Sequence, residues 1–154
     1  MSISSLLAEN RIFIDAEISS KKRLLEFIAD YAAKELSLPT SKIYNKLLER
    51  ERLGSTGLGK GIAVPHARLS DLKEPHVCFL KLKQAINYDA MDKQKVDLIF
   101  VLFIPQESTD EHLQILASIA KIFSQKSVTE KIRISQSAND IIQIVLQAET
   151  ASQT

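Results

Sequence analysis

Nine consecutive residues, Val96-Asp97-Leu98-Ile99-Phe100-Val101-Leu102-Phe103-Ile104, contain one polar side chain and are closed by Pro105. A strand wetted on one face would alternate apolar and polar residues. This β-branched and aromatic run does not alternate, as expected of a central strand covered on both faces.

The segments around it supply the covering layers. From Ser19 to Leu38, the residues Leu24, Leu25, Ile28, Tyr31, Ala32 and Leu36 recur at helical spacing behind Ser19 and Ser20 as caps, and Pro39 is expected to end that helix. A second helix runs from a Thr40 or Ser41 cap to about Arg52, with Ile43, Leu47 and Leu48 inward, Arg50 in its last turn and Gly54 as its stop. Ile62 to Val64 reads as a short strand delivering Pro65 and His66 to its end, and His76 to Lys83 as another, with Cys78, Leu80 and Leu82 alternating against Lys81 and Lys83. Ser108-Thr109-Asp110-Glu111 has the Ser-x-x-Glu form of a capping box and opens a helix with Leu113, Leu116, Ile119, Ala120 and Phe123 inward. Ser127 to Glu130 repeats the form, and Ser137 to Asp140 precedes a last helix that buries Ile141, Ile144 and Val145. Strands interleaved with helices predict an α/β fold: a mixed β-sheet flanked by α-helices on both faces, one domain over residues 1–150, and a frayed polar tail at 151–154.

Charge and cysteine content narrow the function classes. With 20 basic and 19 acidic residues the chain carries +1, which gives no basic excess for a broad nucleic-acid or anionic-membrane surface. No apolar run approaches the roughly 18 to 20 residues of a membrane span, and Met1 to Ile14 is interrupted by polar residues where a signal sequence would be apolar. Cys78 is the only cysteine and sits in an apolar run, so a buried thiol is expected and an internal disulfide is excluded. These features predict a cytoplasmic protein without membrane insertion or nucleic-acid binding.

All four glycines fall in Gly54-Ser55-Thr56-Gly57-Leu58-Gly59-Lys60-Gly61, which continues through Ile62-Ala63-Val64-Pro65 to His66. Gly54 to Lys60 satisfies G-x-x-x-x-G-K, but Gly61 stands where a nucleotide loop needs its magnesium-binding hydroxyl. The context is inverted as well, since a helix precedes this loop and a strand follows it. Two readings remain open. In one, Gly57 and Gly59 let backbone N–H groups converge on an anion, Ser55 and Thr56 add hydroxyl donors, and Arg50 supplies a planar fork suited to phosphate. In the other, the stretch is a tight surface turn with a solvated arginine.

His66 favours the first, because imidazole is a nucleophile that titrates near neutral pH and this one follows directly on the loop. His112, in the first turn of the helix after the central strand, is placed to come beside it, where a helix N-terminus favours anions. His76 has no such neighbours and reads as structural or exposed. The three histidines show no H-x-x-x-H, E-x-x-H or C-x-x-C spacing, and no G-x-S-x-G is present, so neither a metal, another cofactor nor a serine nucleophile is expected.

The stretch from Arg50-Glu51-Arg52-Leu53-Gly54-Ser55-Thr56-Gly57 to Ala63-Val64-Pro65-His66, with Asp97 to Pro105 and Glu111-His112-Leu113, resembles the enzyme IIA domains of the fructose/mannitol type in the bacterial phosphotransferase system. The likeness runs over nearly the whole chain and is strongest, in length and in its Arg-Glu-x-x-Gly-Ser-Thr-Gly opening, to the nitrogen-regulatory members. It implies a phosphoryl-accepting carrier: His66 takes the group from an HPr-like phosphocarrier (NPr in the nitrogen branch), His112 is the second active-site histidine, and Arg50 and Ser55 contact phosphoryl oxygens. It also implies a regulator whose phosphorylation state controls partners such as potassium-transport components or kinases. A sugar-specific IIA that passes phosphate to a IIB domain, and a binding module of the same fold without phosphate, are the alternatives. The sequence holds no IIB, membrane or carrier segment, which favours the regulator.

Overall fold

The apolar run becomes β6 (Val96–Pro105), an inner strand of a six-stranded sheet in the computed structural model of the chain, which describes residues 2–152. The sheet order is β1 (Ile12–Ala16), β5 (His76–Ile86), β6, β3 (Ile62–Ala63), β2 (Gly57–Gly59), and β4 (His66–Leu69) also pairs with β6. The sheet is mixed: β1 runs parallel to β5, β5 antiparallel to β6, β3 and β4 parallel to β6, and β2 antiparallel to β3.

Both faces of β6 are covered. Leu98, Phe100, Leu102 and Ile104 pack with Val77 and Phe79 under α1 (Ile3–Leu6), α4 (Asp110–Phe123), α5 (Lys126–Ile134) and α6 (Ala138–Ser152). Ile99, Val101 and Phe103 pack with Cys78 and Leu80 under α2 (Lys21–Leu36) and α3 (Thr40–Arg52). Period-two geometry sends alternate side chains of one strand into two cores, which is why the run cannot alternate in polarity. The predicted single α/β domain with helices on both faces is therefore the observed one.

Several local expectations need correction. Ser20 caps α2, accepting from the Arg23 N–H, but α2 stops at Ser37, which takes the left-handed conformation (φ 55°), and Pro39 begins α3 rather than ending α2. Thr109, not Ser108, caps α4, and His112 rather than Glu111 closes the box. The Ser127–Glu130 box does not form; α5 starts behind Gln125 with no side-chain cap. His66 opens β4 instead of ending the strand before it. Ile144 is only half-buried, and α6 continues through Ser152, so the expected tail at 151–152 is helical while 153–154 lie outside the described residues.

The sequence pattern assigns no helix or strand to the first 18 residues, yet α1 and β1 are formed there. The carboxylate of Glu149 accepts from the N–H groups of Ile3 (2.7 Å) and Ser4 (2.9 Å), a negative charge on the N-terminal end of α1 supplied by α6.

His76 is structural. It is buried, and its Nε2 lies 3.0 Å from the Tyr31 hydroxyl. Burial, with a smaller contribution from Arg11, pushes its pKa down to about 4. The unfolded chain takes up that proton near pH 6.5 while the folded chain does not, so unfolding is promoted as pH falls from about 6.5 towards about 4. Urea midpoints measured across this range are expected to drop with acidity, and His76→Gln to remove part of that slope.

Candidate functional site

Arg50 and Glu51 are consecutive in the last turn of α3, so their side chains leave the helix about 100° apart. Arg50 faces β4 and Glu51 faces the loop. Arg50 donates through Nε to Nε2 of His66 (3.2 Å) and through Nη1 to the Gly54 carbonyl (2.8 Å). Glu51 accepts the Thr56 N–H (3.1 Å) and the Thr56 hydroxyl.

The glycine stretch is a β-hairpin. Gly57 pairs with Ala63 across β2 and β3, and the Val64 N–H extends the ladder by donating to the Thr56 carbonyl at 3.0 Å. Beyond Ala63 the ladder to β6 is interrupted at Pro65, which has no N–H to give although its carbonyl still accepts from Leu102 (3.1 Å), and the chain continues along β6 as β4 with His66 opposite Leu102. The Val64 carbonyl, free of the ladder at this break, lies 2.8 Å from Nδ1 of His66. Arg50, His66, Val64, Thr56 and Glu51 thus form a closed ring of hydrogen bonds, completed by the Arg50–Glu51 peptide link.

That ring fixes the chemistry of His66. A carbonyl only accepts, so Nδ1 carries the proton, and Nε2, which accepts from the Arg50 Nε–H, presents the lone pair. Burial lowers the His66 pKa first, and the Arg50 charge lowers it further; the Val64 hydrogen bond and the Glu51 carboxylate act the other way, and the net shift is downward. The imidazole is therefore neutral and nucleophilic at neutral pH.

His66 opens into a hollow of about 660 Å³ between α3 and α4. Lys46, Arg50, Arg52 and Arg68 line it with Glu49 as the acidic residue, and Leu113 and Leu116 from α4 form an apolar wall. Four cations to one carboxylate suit an anionic group at Nε2.

The remaining residues singled out in the sequence lie as follows. His112 stands one turn before Leu116 on α4; its Nδ1 accepts the Thr109 N–H (3.3 Å), which caps its own helix rather than touching His66 and leaves the ring proton on Nε2. Thr56 is buried and its hydroxyl is committed to Glu51 and to the Tyr88 hydroxyl (2.8 Å). Ser55 Oγ accepts the Gly57 N–H (3.2 Å) and lies 3.4 Å from the Tyr88 carbonyl. Gly59 sits opposite Ile62, which pairs with Leu98; His66 pairs with Leu102, four strand positions or roughly 13 Å further on. The converging loop amides expected of an anion cradle are spent internally, on Glu51 for Thr56, Ser55 for Gly57 and Asp92 for Lys60. The positive charge near Nε2 of His66 is that of Arg50 and the other cationic side chains of the hollow. Two glycines serve the backbone instead: Gly54 has φ 151°, which side chains rarely adopt, and a Cβ on Gly57 would lie 2.7 Å from that of Ala90.

Sequence reasoning passed over Glu51, Tyr88 and Lys21. The Tyr88 hydroxyl donates to Glu51 (3.2 Å), Lys21 pairs with it at 2.9 Å, and Lys21 also sits 4.5 Å from the Tyr88 ring centre. Glu51 was visible beside Arg50 in the quoted signature; Tyr88 and Lys21 carry no local signal. Among the described residues no group of three or more His, Cys, Asp and Glu is arranged to hold a metal ion, and no helix is long and apolar enough to cross a membrane.

Residues 5–148 match the family described as "Phosphoenolpyruvate-dependent sugar phosphotransferase system, EIIA 2". The chain is 39% identical over 150 residues to the nitrogen regulatory protein of Escherichia coli strain K12, covering 97% of this chain and 92% of that one. The crystal structure of nitrogen regulatory protein IIA-Ntr from Neisseria meningitidis superposes with a TM-score of 0.89 at 38% identity, over 93% of this chain and 98% of that one. IIA mannitol from Escherichia coli shares the fold at 21% identity, with a TM-score of 0.76 over 90% of this chain and 98% of that one.

Two expected outcomes test this geometry. Followed by NMR, His66 titrates below 6.5, and Arg50→Gln moves it upward by removing a neighbouring positive charge. Gly57→Ala forces β2 away from Ala90 and lowers stability by about 1–3 kcal/mol in urea unfolding.

Proposed function

The chain belongs to the phosphotransferase-system EIIA 2 family, whose members are phospho-histidine carriers, and from that premise we propose that Nε2 of His66 accepts the phosphoryl group from the phosphohistidine of an HPr-like phosphocarrier, NPr in the nitrogen branch. The observation that carries this reading is the pair of contacts on one imidazole: Nδ1–H held by Val64 and Nε2 facing Arg50 in a cationic hollow.

The transfer is a displacement at phosphorus. The Nε2 lone pair forms the new N–P bond as the carrier's N–P bond breaks, and the carrier imidazole leaves with that electron pair. The His66 ring keeps its Nδ1 proton, and the positive charge the ring acquires is drained towards the Val64 carbonyl. The Arg50 guanidinium, which caps the lone pair before transfer, shifts to the phosphoryl oxygens; they carry the charge it neutralises. His112, one turn before Leu116 of the hollow's wall, is on this reading the second active-site histidine that the family resemblance implies. No step requires a metal, because phosphoryl transfer of this kind depends on in-line positioning and charge neutralisation.

The nitrogen-regulatory names of relatives at 38–39% identity favour a regulator over a sugar-transport component. On this reading the phosphorylation state of His66 controls partner proteins such as potassium-transport components or kinases.

The test is labelling with phosphoenolpyruvate, enzyme I and either carrier type. An acid-labile phosphate is expected on the wild type and none on His66→Ala, with Arg50→Gln slowed about 100-fold while remaining folded. Label persisting on His66→Ala refutes the assignment. Wild type that binds carrier but takes no label is instead a binding module, and rapid delivery to a sugar IIB domain identifies a transport component.

A further inference from the structure

Glu51 is the buried acid of the ring, its side chain only 5% exposed, and it touches neither the hollow nor His66. Its carboxylate gathers the Thr56 N–H, the Thr56 and Tyr88 hydroxyls and the Lys21 ammonium, so each oxygen has two partners and the charge is matched. Ion pairing alone does not explain this arrangement, because Lys21 on α2 would suffice. What the extra donors achieve is to fix Thr56 by both its backbone and its side chain.

Thr56 in turn controls two things the site needs. Its carbonyl receives the Val64 N–H, and the Val64 carbonyl orients the His66 ring. Its position also ends the segment Leu53–Ser55, whose Gly54 carbonyl supports the Arg50 guanidinium. Both routes start at the same carboxylate: one reaches Nδ1 of the imidazole, the other reaches the arginine facing Nε2. Glu51 also influences the imidazole through space, its charge opposing the effect of Arg50 on the His66 proton.

We infer that Glu51, clamped by Thr56, Tyr88 and Lys21, is the positioning residue of the His66 site, setting the imidazole and the Arg50 guanidinium against each other through Thr56. This rests on the phosphoryl-acceptor reading for its kinetic consequence but not for its geometry. A misplacement of either group by a fraction of an ångström lowers turnover without changing the surface around the hollow, since neither Glu51 nor Thr56 lines it.

Thr56→Val keeps the shape and removes the hydroxyl; Tyr88→Phe removes one donor from Glu51; Thr56→Ser restores the hydroxyl. In phosphorylation by the carrier, Thr56→Val and Tyr88→Phe are each expected to lower kcat roughly tenfold with KM for the carrier unchanged, and Thr56→Ser to recover most of that loss. In parallel, ¹⁵N NMR of the imidazole reads the geometry without any transfer: the Nε2 resonance of His66 shifts towards that of an unbonded nitrogen in Thr56→Val, at an unchanged far-UV spectrum. Wild-type kcat and an unmoved Nε2 resonance in Thr56→Val and Tyr88→Phe overturn the inference, as does a kcat loss that only tracks the unfolded fraction in urea titrations. If the wild type takes no phosphate at all, the acceptor reading fails, and the Nε2 resonance still decides the positioning claim.

Discussion

The hydrogen bond from His66 Nδ1 to the Val64 carbonyl decides which nitrogen of the imidazole can act, and most of the local structure exists to make that bond available. A carbonyl inside a regular ladder is already used. Val64 gives its N–H to the Thr56 carbonyl at the end of the hairpin, and its own carbonyl is taken by the His66 ring instead of by a ladder N–H; at Pro65 one bond to β6 is missing for want of an N–H, while the Pro65 carbonyl still accepts from Leu102. The strand resumes at His66 in the same register along β6, so the break costs little pairing and yields one oriented imidazole.

The register itself is enforced from a distance. β6 fills two cores at once, and a slip of one residue would exchange the contents of both. Phe79, Phe100 and Phe123 pack together on one face, with ring centres 5.3 to 6.0 Å apart, and hold β5, β6 and α4 in fixed relation. The same core thus fixes β4 against Leu102 and sets α4, whose Leu113 and Leu116 wall the hollow. The far end of the hairpin is tied separately: Arg133 of α5 bonds both oxygens of Asp97 and the Lys60 carbonyl. The glycine stretch is consequently anchored at its tip by α5 and at its base by Glu51.

What could be read from the sequence follows the range of the forces involved. β6 was legible because burial on both faces leaves its mark residue by residue, and α2 and α3 because helical periodicity is local. β1 and β2 were not, since Ile12–Ala16 and Gly57–Gly59 are too short for a period and are strands only because β5 and β3 offer them edges. The caps of α4 and α5 were misplaced by a residue or two for a related reason: several serines and threonines competed, and packing rather than composition chose among them. At the site, Arg50 and His66 were found through their types and spacing, and the structure brings them into contact. Glu51 was overlooked because an acid in a helical turn is ordinary until its partners are known, and those partners, Tyr88 and Lys21, lie 37 and 30 positions away.

Arg50 carries a conflict that the rest of the ring makes tolerable. Its Nε–H occupies the Nε2 lone pair which, on the proposed acceptor role, attacks phosphorus, and phosphorus would then approach Nε2 more closely than a hydrogen-bond donor stands. The guanidinium must therefore leave the nitrogen as the phosphoryl group arrives, yet remain near enough to neutralise its oxygens. Its second tie, from Nη1 to the Gly54 carbonyl, allows this, because a side chain pivoting on one end can exchange a lone pair for an oxygen without leaving the hollow. Lys46, Arg52 and Arg68 keep the hollow cationic while Arg50 moves. Before transfer the imidazole is thus neutral with its lone pair occupied, and on the proposed role the charge of the incoming phosphoryl group is what draws the arginine aside.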